Sequence, residues 1–154
     1  MKISTIPMDE LAQILSVQLE SGGTARLVVT GDSMYPTFRH RRDMVILKPV
    51  SQPLKRGDVI LYRRATGQYV LHRIVTKPKN GRFICCGDNQ WEKEPMAQSR
   101  VVALVSSFIR KGKTIENKKF GYRLWVALLV GLFPVRRPLL WMRRTLGKVR
   151  RAFQ

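Results

Sequence analysis

The chain has 154 residues, 44% hydrophobic and 25% charged. That size and balance fit one folded domain with its own core, and exclude a disordered polyelectrolyte or a multi-span membrane protein. Lys and Arg total 29 against 10 Asp and Glu, and the formal charge of +19 points to an anionic partner such as nucleic acid or a lipid surface.

The excess is uneven: residues 1–99 carry 15 basic and 9 acidic side chains, whereas residues 100–154 carry 14 basic ones and only Glu116. In chain order, the first residues lack the apolar core of about 7–15 residues that a secretory signal needs, and Asp9 and Glu10 oppose an organelle transit peptide. Nothing at the front predicts export. Leu11, Ile14, Leu15 and Leu19 recur at helical spacing, with acids in the first turn and Gly22-Gly23 as a stop, which predicts an amphipathic helix over about residues 8–21. From Ala25 the pattern changes to six short β-rich runs, ARLVVT, DMVILKPV, DVILYRR, QYVLHRIV, RFICCG and RVVALVSSFIR, separated by Pro, Gly and Asn turns. The expected organisation is an N-terminal helix (1–24), a mainly β body (25–112) and a basic C-terminal segment (113–154). Cys85 and Cys86 are adjacent, so in a strand they point to opposite faces and cannot build a disulfide framework.

The tail differs in kind. Residues 124–135, LWVALLVGLFPV, fall short of the roughly 20 residues that a helix needs to span a bilayer. The following stretch sets Leu139, Leu140, Met142, Leu146, Val149 and Phe153 against Arg143, Arg144, Lys148, Arg150 and Arg151. This basic amphipathic pattern predicts helices lying on an anionic membrane surface through residues 120–154, with Trp125 and Trp141 at the interface. A helix packed on the β body and a basic arm on nucleic acid are the alternatives.

The chemistry concentrates in Gly31-Asp32-Ser33-Met34-Tyr35-Pro36-Thr37-Phe38, where a serine sits on a turn at the end of a strand. A free hydroxyl is a weak nucleophile and needs a neighbouring base. His40 lies in the polar run RHRRD and reads as a solvated turn residue, while His72 lies inside the apolar run VLHRIV. An imidazole is the natural partner for a serine and needs a third group to hold its tautomer. Asp88, Glu92 and Glu94 are the downstream acids, and Asp88 after Gly87 could equally be a turn residue.

Taken together and in order, GDSMYPTF, RRDMVIL, RGDVILYRR, VLHRIV and CCGDNQ resemble the signal peptidase I and LexA-like serine peptidase superfamily over about residues 25–110. The resemblance implies a signal-peptidase/LexA-like β fold and maps the nucleophile to Ser33, in a box with Gly31, Met34 and Pro36. It places His72 where many members carry a lysine, like the histidine-base variant of endoplasmic-reticulum and archaeal signal peptidases. It maps the GDN box to Asp88, and an acid shortly after that box also matters in that subfamily, so the third member is open between Asp88 and Glu94. Gly31 stands where many signal peptidases have a serine that helps bind the oxyanion; backbone N–H groups near Ser33 must then carry more of that stabilisation. Gly31-Asp32-Ser33 instead resembles the LexA-like repressor form of the box.

The implied function is a serine endopeptidase of signal-peptidase type, cleaving a peptide or preprotein at a membrane surface, bound peripherally at the cytoplasmic membrane on a side left open. No nucleic-acid partner and no cofactor is expected, and two adjacent cysteines with two distant histidines make no zinc spacing. A LexA-like self-cleaving regulator and a noncatalytic basic protein that binds membrane or nucleic acid are the other classes. The regulator would carry a helix-turn-helix ahead of the peptidase body, and residues 1–24 offer one helix.

Overall fold

The computed structural model of the chain describes Leu19 and residues 21–132. The predicted helix over 8–21, apart from Leu19 and Ser21, and the basic segment from residue 133 onward lie outside the described residues. The body is mainly β, as the sequence predicts: β1 (Ala25–Val28), β2 (Asp43–Lys48), β3 (Val59–Arg63), β4 (Tyr69–Ile74), β5 (Arg82–Cys86), β6 (Glu94–Ala97), β7 (Val101–Arg110) and β8 (Lys113–Glu116), then α1 (Phe120–Gly131). All pairings are antiparallel, in the order β1-β2-β7-β3-β4-β5-β6, with β8 folded back on β7.

Six of these strands coincide with the β-rich runs, and β6 and β8 are additions. Residues 94–97 read Glu-Pro-Met-Ala, and a proline cannot donate to a ladder, so the segment lacks a strand signature. It pairs nonetheless, because β6 is the outer strand at that end of the sheet. β8 (KTIE) is short and polar, and the turn at Lys111-Gly112, both with positive φ, returns it onto β7.

The sheet is buried on both faces at its centre. Val59 and Leu61 of β3 join Phe38, Val45, Leu47, Ala103, Val105 and Phe108 in one core. Ile60 and Tyr62 join Ile74, Phe83, Cys85 and Met96 in the other. A strand with period-two side chains and a core on each side reads as a continuous apolar run, which explains VILY. Neither Cys85 nor Cys86 is in a disulfide.

Helix α1 closes one end of the first core. Tyr122 packs on Phe108 with ring centroids 5.7 Å apart, and Trp125 Nε1 donates to Thr37 Oγ1 at 3.0 Å. Arg56 donates to the Val130 carbonyl at 3.1 Å. Val126 lies so close to Gly57 that a Cβ there would meet it at 2.9 Å, and φ of +99° at Gly57 demands glycine as well. No helix among the described residues is long and apolar enough to cross a membrane.

Candidate active site

Ser33 sits in the loop between β1 and β2, which is held at both ends. Asp43 at the start of β2 is buried and accepts from the Arg39 amide and from the Arg42 and Arg110 guanidinium groups, and Arg110 also donates to the Thr37 carbonyl. Burial works against the Asp43 carboxylate, and its two arginines hold it below the ordinary Asp value. Inside the loop, Met34 and Phe38 are buried in the first core, and the Tyr35–Pro36 peptide is cis. The buried Met34 and Phe38 anchor the loop from its own sequence, and Ser33, half-buried, immediately precedes the first of them.

The GDN turn supports that backbone directly. The Asn89 amide donates to the Ser33 carbonyl at 2.8 Å, and Asn89 Nδ2 donates to the Asp32 carbonyl at 3.1 Å. Gly87 approaches so closely that a Cβ would lie 2.6 Å from the Ser33 carbonyl oxygen, so only glycine fits. The sequence reading valued this box for its acid; its backbone and Asn89 are what touch the serine segment.

Gly31 has φ of +79°, a conformation that a serine adopts only with strain, and its N–H donates to His40 Nδ1 at 2.8 Å. His40 is an exposed turn residue, as the sequence predicts, and it also holds the turn ahead of Ser33. Gly31's amide is already committed and is not available to an oxyanion.

His72 lies on β4 with only 4% of its surface exposed. Ile60 is its direct partner on β3, so Tyr62, two residues along, is its diagonal neighbour on the same face. The register continues through Ile74 opposite Cys85 and Cys85 opposite Glu94, which brings Glu94 to that face too. The Tyr62 hydroxyl lies 3.1 Å from His72 Nδ1 and donates to Glu94 Oε2 at 2.6 Å. Glu94 is 3.9 Å from Nδ1 and is gripped by Arg64 through two bonds of 2.7 Å. The hydrogen bonds from Arg64 hold the Glu94 carboxyl below its ordinary value. Burial pushes the His72 imidazolium down to about 4, so the ring is neutral near pH 7.

Arg73, the next residue, points to the opposite face. Its guanidinium is fully buried and donates to both Asp88 oxygens at 2.8 and 2.7 Å, to the Gly57 carbonyl at 2.8 Å, and to Tyr122 and Thr37 at 3.5 Å. Asp88 is thus the partner of Arg73, and Glu94 is the acid that reaches His72, through Tyr62. Glu92 is exposed. Tyr62, Arg64, Arg73 and Asn89 are not singled out by the sequence, and of these only Tyr62 has a usable signal, as an aromatic polar group in a buried apolar run.

Ser33 and His72 line one cavity of about 790 Å³, together with Leu27–Thr30 on the β1 side, Tyr69–Leu71 on β4, and Gln90. Among the described residues no cluster of His, Cys, Asp or Glu is arranged to hold a metal.

A serine and a neutral, buried histidine on one cavity, with an acid linked behind the imidazole, are a constellation able to transfer an acyl group. No curated protein matches the chain. A family comparison matches residues 4–106 to Peptidase S24-like domains, of the LexA and signal peptidase superfamily, which includes serine peptidases and LexA-type self-cleaving proteins. With two thirds of its length matched, and with the mainly β body that such a match requires, the chain belongs to the Peptidase S24-like family.

Proposed function

We propose that the protein is a serine endopeptidase of signal-peptidase type, cutting a leader- or signal-like peptide in trans at a membrane surface. Ser33 Oγ attacks the scissile carbonyl, His72 takes the hydroxyl proton and returns it to the leaving amine, and Glu94 stabilises the imidazolium. A backbone N–H near Ser33 stabilises the oxyanion in place of a position-31 hydroxyl. The observation that carries the reading is the cavity shared by Ser33 and His72. Its walls are β1, which among the described residues pairs only with β2, and Tyr69–His72 of β4, whose ladder to β5 covers only Arg73 and Ile74. Two partly unpaired edges flanking a serine suit a substrate added as an extended strand.

The membrane part rests on α1 and on charge. Phe120, Leu124, Leu128 and Leu132 follow one another at four-residue spacing and are 81%, 51%, 50% and 50% exposed. Lys118, Lys119 and Arg123 adjoin this stripe, and seven further Lys and Arg follow it in the sequence. An apolar stripe with a basic surround matches an anionic lipid surface. The second reading, a self-cleaving regulator, is favoured by the Gly31-Asp32-Ser33 form of the box.

One experiment addresses both readings: wild type and Ser33→Ala are incubated with signal-like peptides in micelles, and cut sites are read by mass spectrometry. Ser33-dependent cuts after small residues are expected. A Ser33-dependent cut confined to the protein's own chain would replace this reading with the regulator. Flotation with phosphatidylglycerol vesicles should be lost in Leu124→Glu/Leu128→Glu, and undiminished flotation would remove the membrane part.

A further inference from the structure

We infer that Tyr62 is the positioning residue that sets the tautomer of His72, standing between the imidazole and Glu94 as an inserted third member of the catalytic array. The inference rests on the proposed Ser33–His72 mechanism and names a residue that the mechanism does not otherwise use. The number of protons available fixes who donates to whom. A phenol has one proton to donate, and an ionised carboxylate can only accept. Glu94, held ionised by two bonds from Arg64, takes the Tyr62 proton at 2.6 Å. What remains on the Tyr62 oxygen is a lone pair, 3.1 Å from His72 Nδ1. The imidazole must then carry its proton on Nδ1 and donate to Tyr62, which leaves the Nε2 lone pair available. That is the tautomer a general base needs toward a serine.

During attack, the Ser33 hydroxyl proton moves to Nε2, and the electron pair of that O–H bond forms the new bond to the carbonyl carbon. The imidazolium keeps its Nδ1–H on Tyr62. Burial and the bond to Glu94 hold the phenol far above its ordinary pKa, so Tyr62 keeps its own proton throughout and passes none. The charge on Glu94 acts on the imidazolium across 3.9 Å, through a hydroxyl dipole aligned by the same two bonds. Arg64 opposes this with its positive charge, which is why the grip on Glu94 has to be paired and local.

The experiment is 15N NMR of histidine-labelled full-length protein at neutral pH, with the two rings distinguished by loss of one set of signals in His40→Gln. Wild-type His72 should show a protonated Nδ1 and an unprotonated Nε2. Tyr62→Phe should move the ring toward the Nε2–H form and lower kcat by about 10²-fold with KM little changed, at the low end of what a positioned base supplies. Glu94→Gln, which keeps an acceptor for the phenol but removes the charge, should keep the tautomer and lose less activity. An Nε2–H ring in wild type, or an unchanged tautomer in a folded Tyr62→Phe, overturns the inference. If Tyr62→Phe does not fold, the wild-type ring decides alone, and an Nε2–H form overturns the inference. Cleavage that survives Ser33→Ala would defeat the peptidase reading while leaving the NMR result to stand on its own.

Discussion

His72 and Arg73 are neighbours in the chain and belong to two different machines. On one face, His72, Tyr62, Glu94 and Arg64 form a chain of hydrogen bonds that runs out to a partly exposed ion pair, whose side chains are 34% and 25% exposed. On the other, Arg73 and Asp88 are wholly buried and tie the GDN turn to Gly57, Thr37 and the α1 residue Tyr122. An acid inside a family motif is thus not necessarily the acid nearest the histidine: Asp88 of the GDN box contacts Arg73, and Glu94 reaches His72 through Tyr62. A buried arginine cannot be left without its carboxylate, so Asp88 is spoken for, whereas Glu94 is partly exposed and accepts from Tyr62 as well as from Arg64.

The comparison breaks most sharply at Asp88. Asp88→Asn should destabilise the protein by about 3–5 kcal/mol in urea unfolding, because it strands the buried Arg73 charge. The double replacement Arg73→Met/Asp88→Leu should recover much of that loss. An Asp88→Asn protein of normal stability with a specific loss of cleavage would return the orienting role to Asp88. Glu94→Gln should do the reverse, changing stability by no more than about 1 kcal/mol, as for a partly exposed pair, and lowering kcat about tenfold.

His72 has a pH signature of its own. Folded His72 takes a proton only near pH 4, against about 6.5 in an unfolded chain. Between those values the unfolded state binds more protons, so the contribution of His72 makes stability rise with pH across that window and fall away as pH drops from 6.5 toward 4. The rising limb of kcat/KM should lie near pH 4, leaving a flat profile through neutrality; a limb near 6.5 would show that His72 is solvated in the working enzyme.

The smallest effect is expected at His40. His40→Ala removes one acceptor from the Gly31 amide, at an exposed position, and should cost about 1 kcal/mol at most in thermal unfolding, with cleavage reduced only a few-fold. A loss as large as that of Ser33→Ala would move His40 into the catalytic array.

The class of fold and the candidate serine and histidine are legible in the amino-acid sequence alone. β-rich runs and the turn residues between them set six strands, because branched and aromatic side chains suit a half-buried pleated surface, and ordered boxes singled out Ser33 and His72. β6 was not legible, since Pro95 denies it a strand signature and only its place at the sheet edge lets it pair. The acid was not legible either. Asp88 and Glu94 are six residues apart in one polar stretch, and nothing local says which face each will reach. Only the register across β3, β4, β5 and β6 decides that, because a shift of one residue in any ladder exchanges the faces. The tertiary structure therefore chose Tyr62 and Glu94 for the histidine, and Asp88 for the arginine beside it.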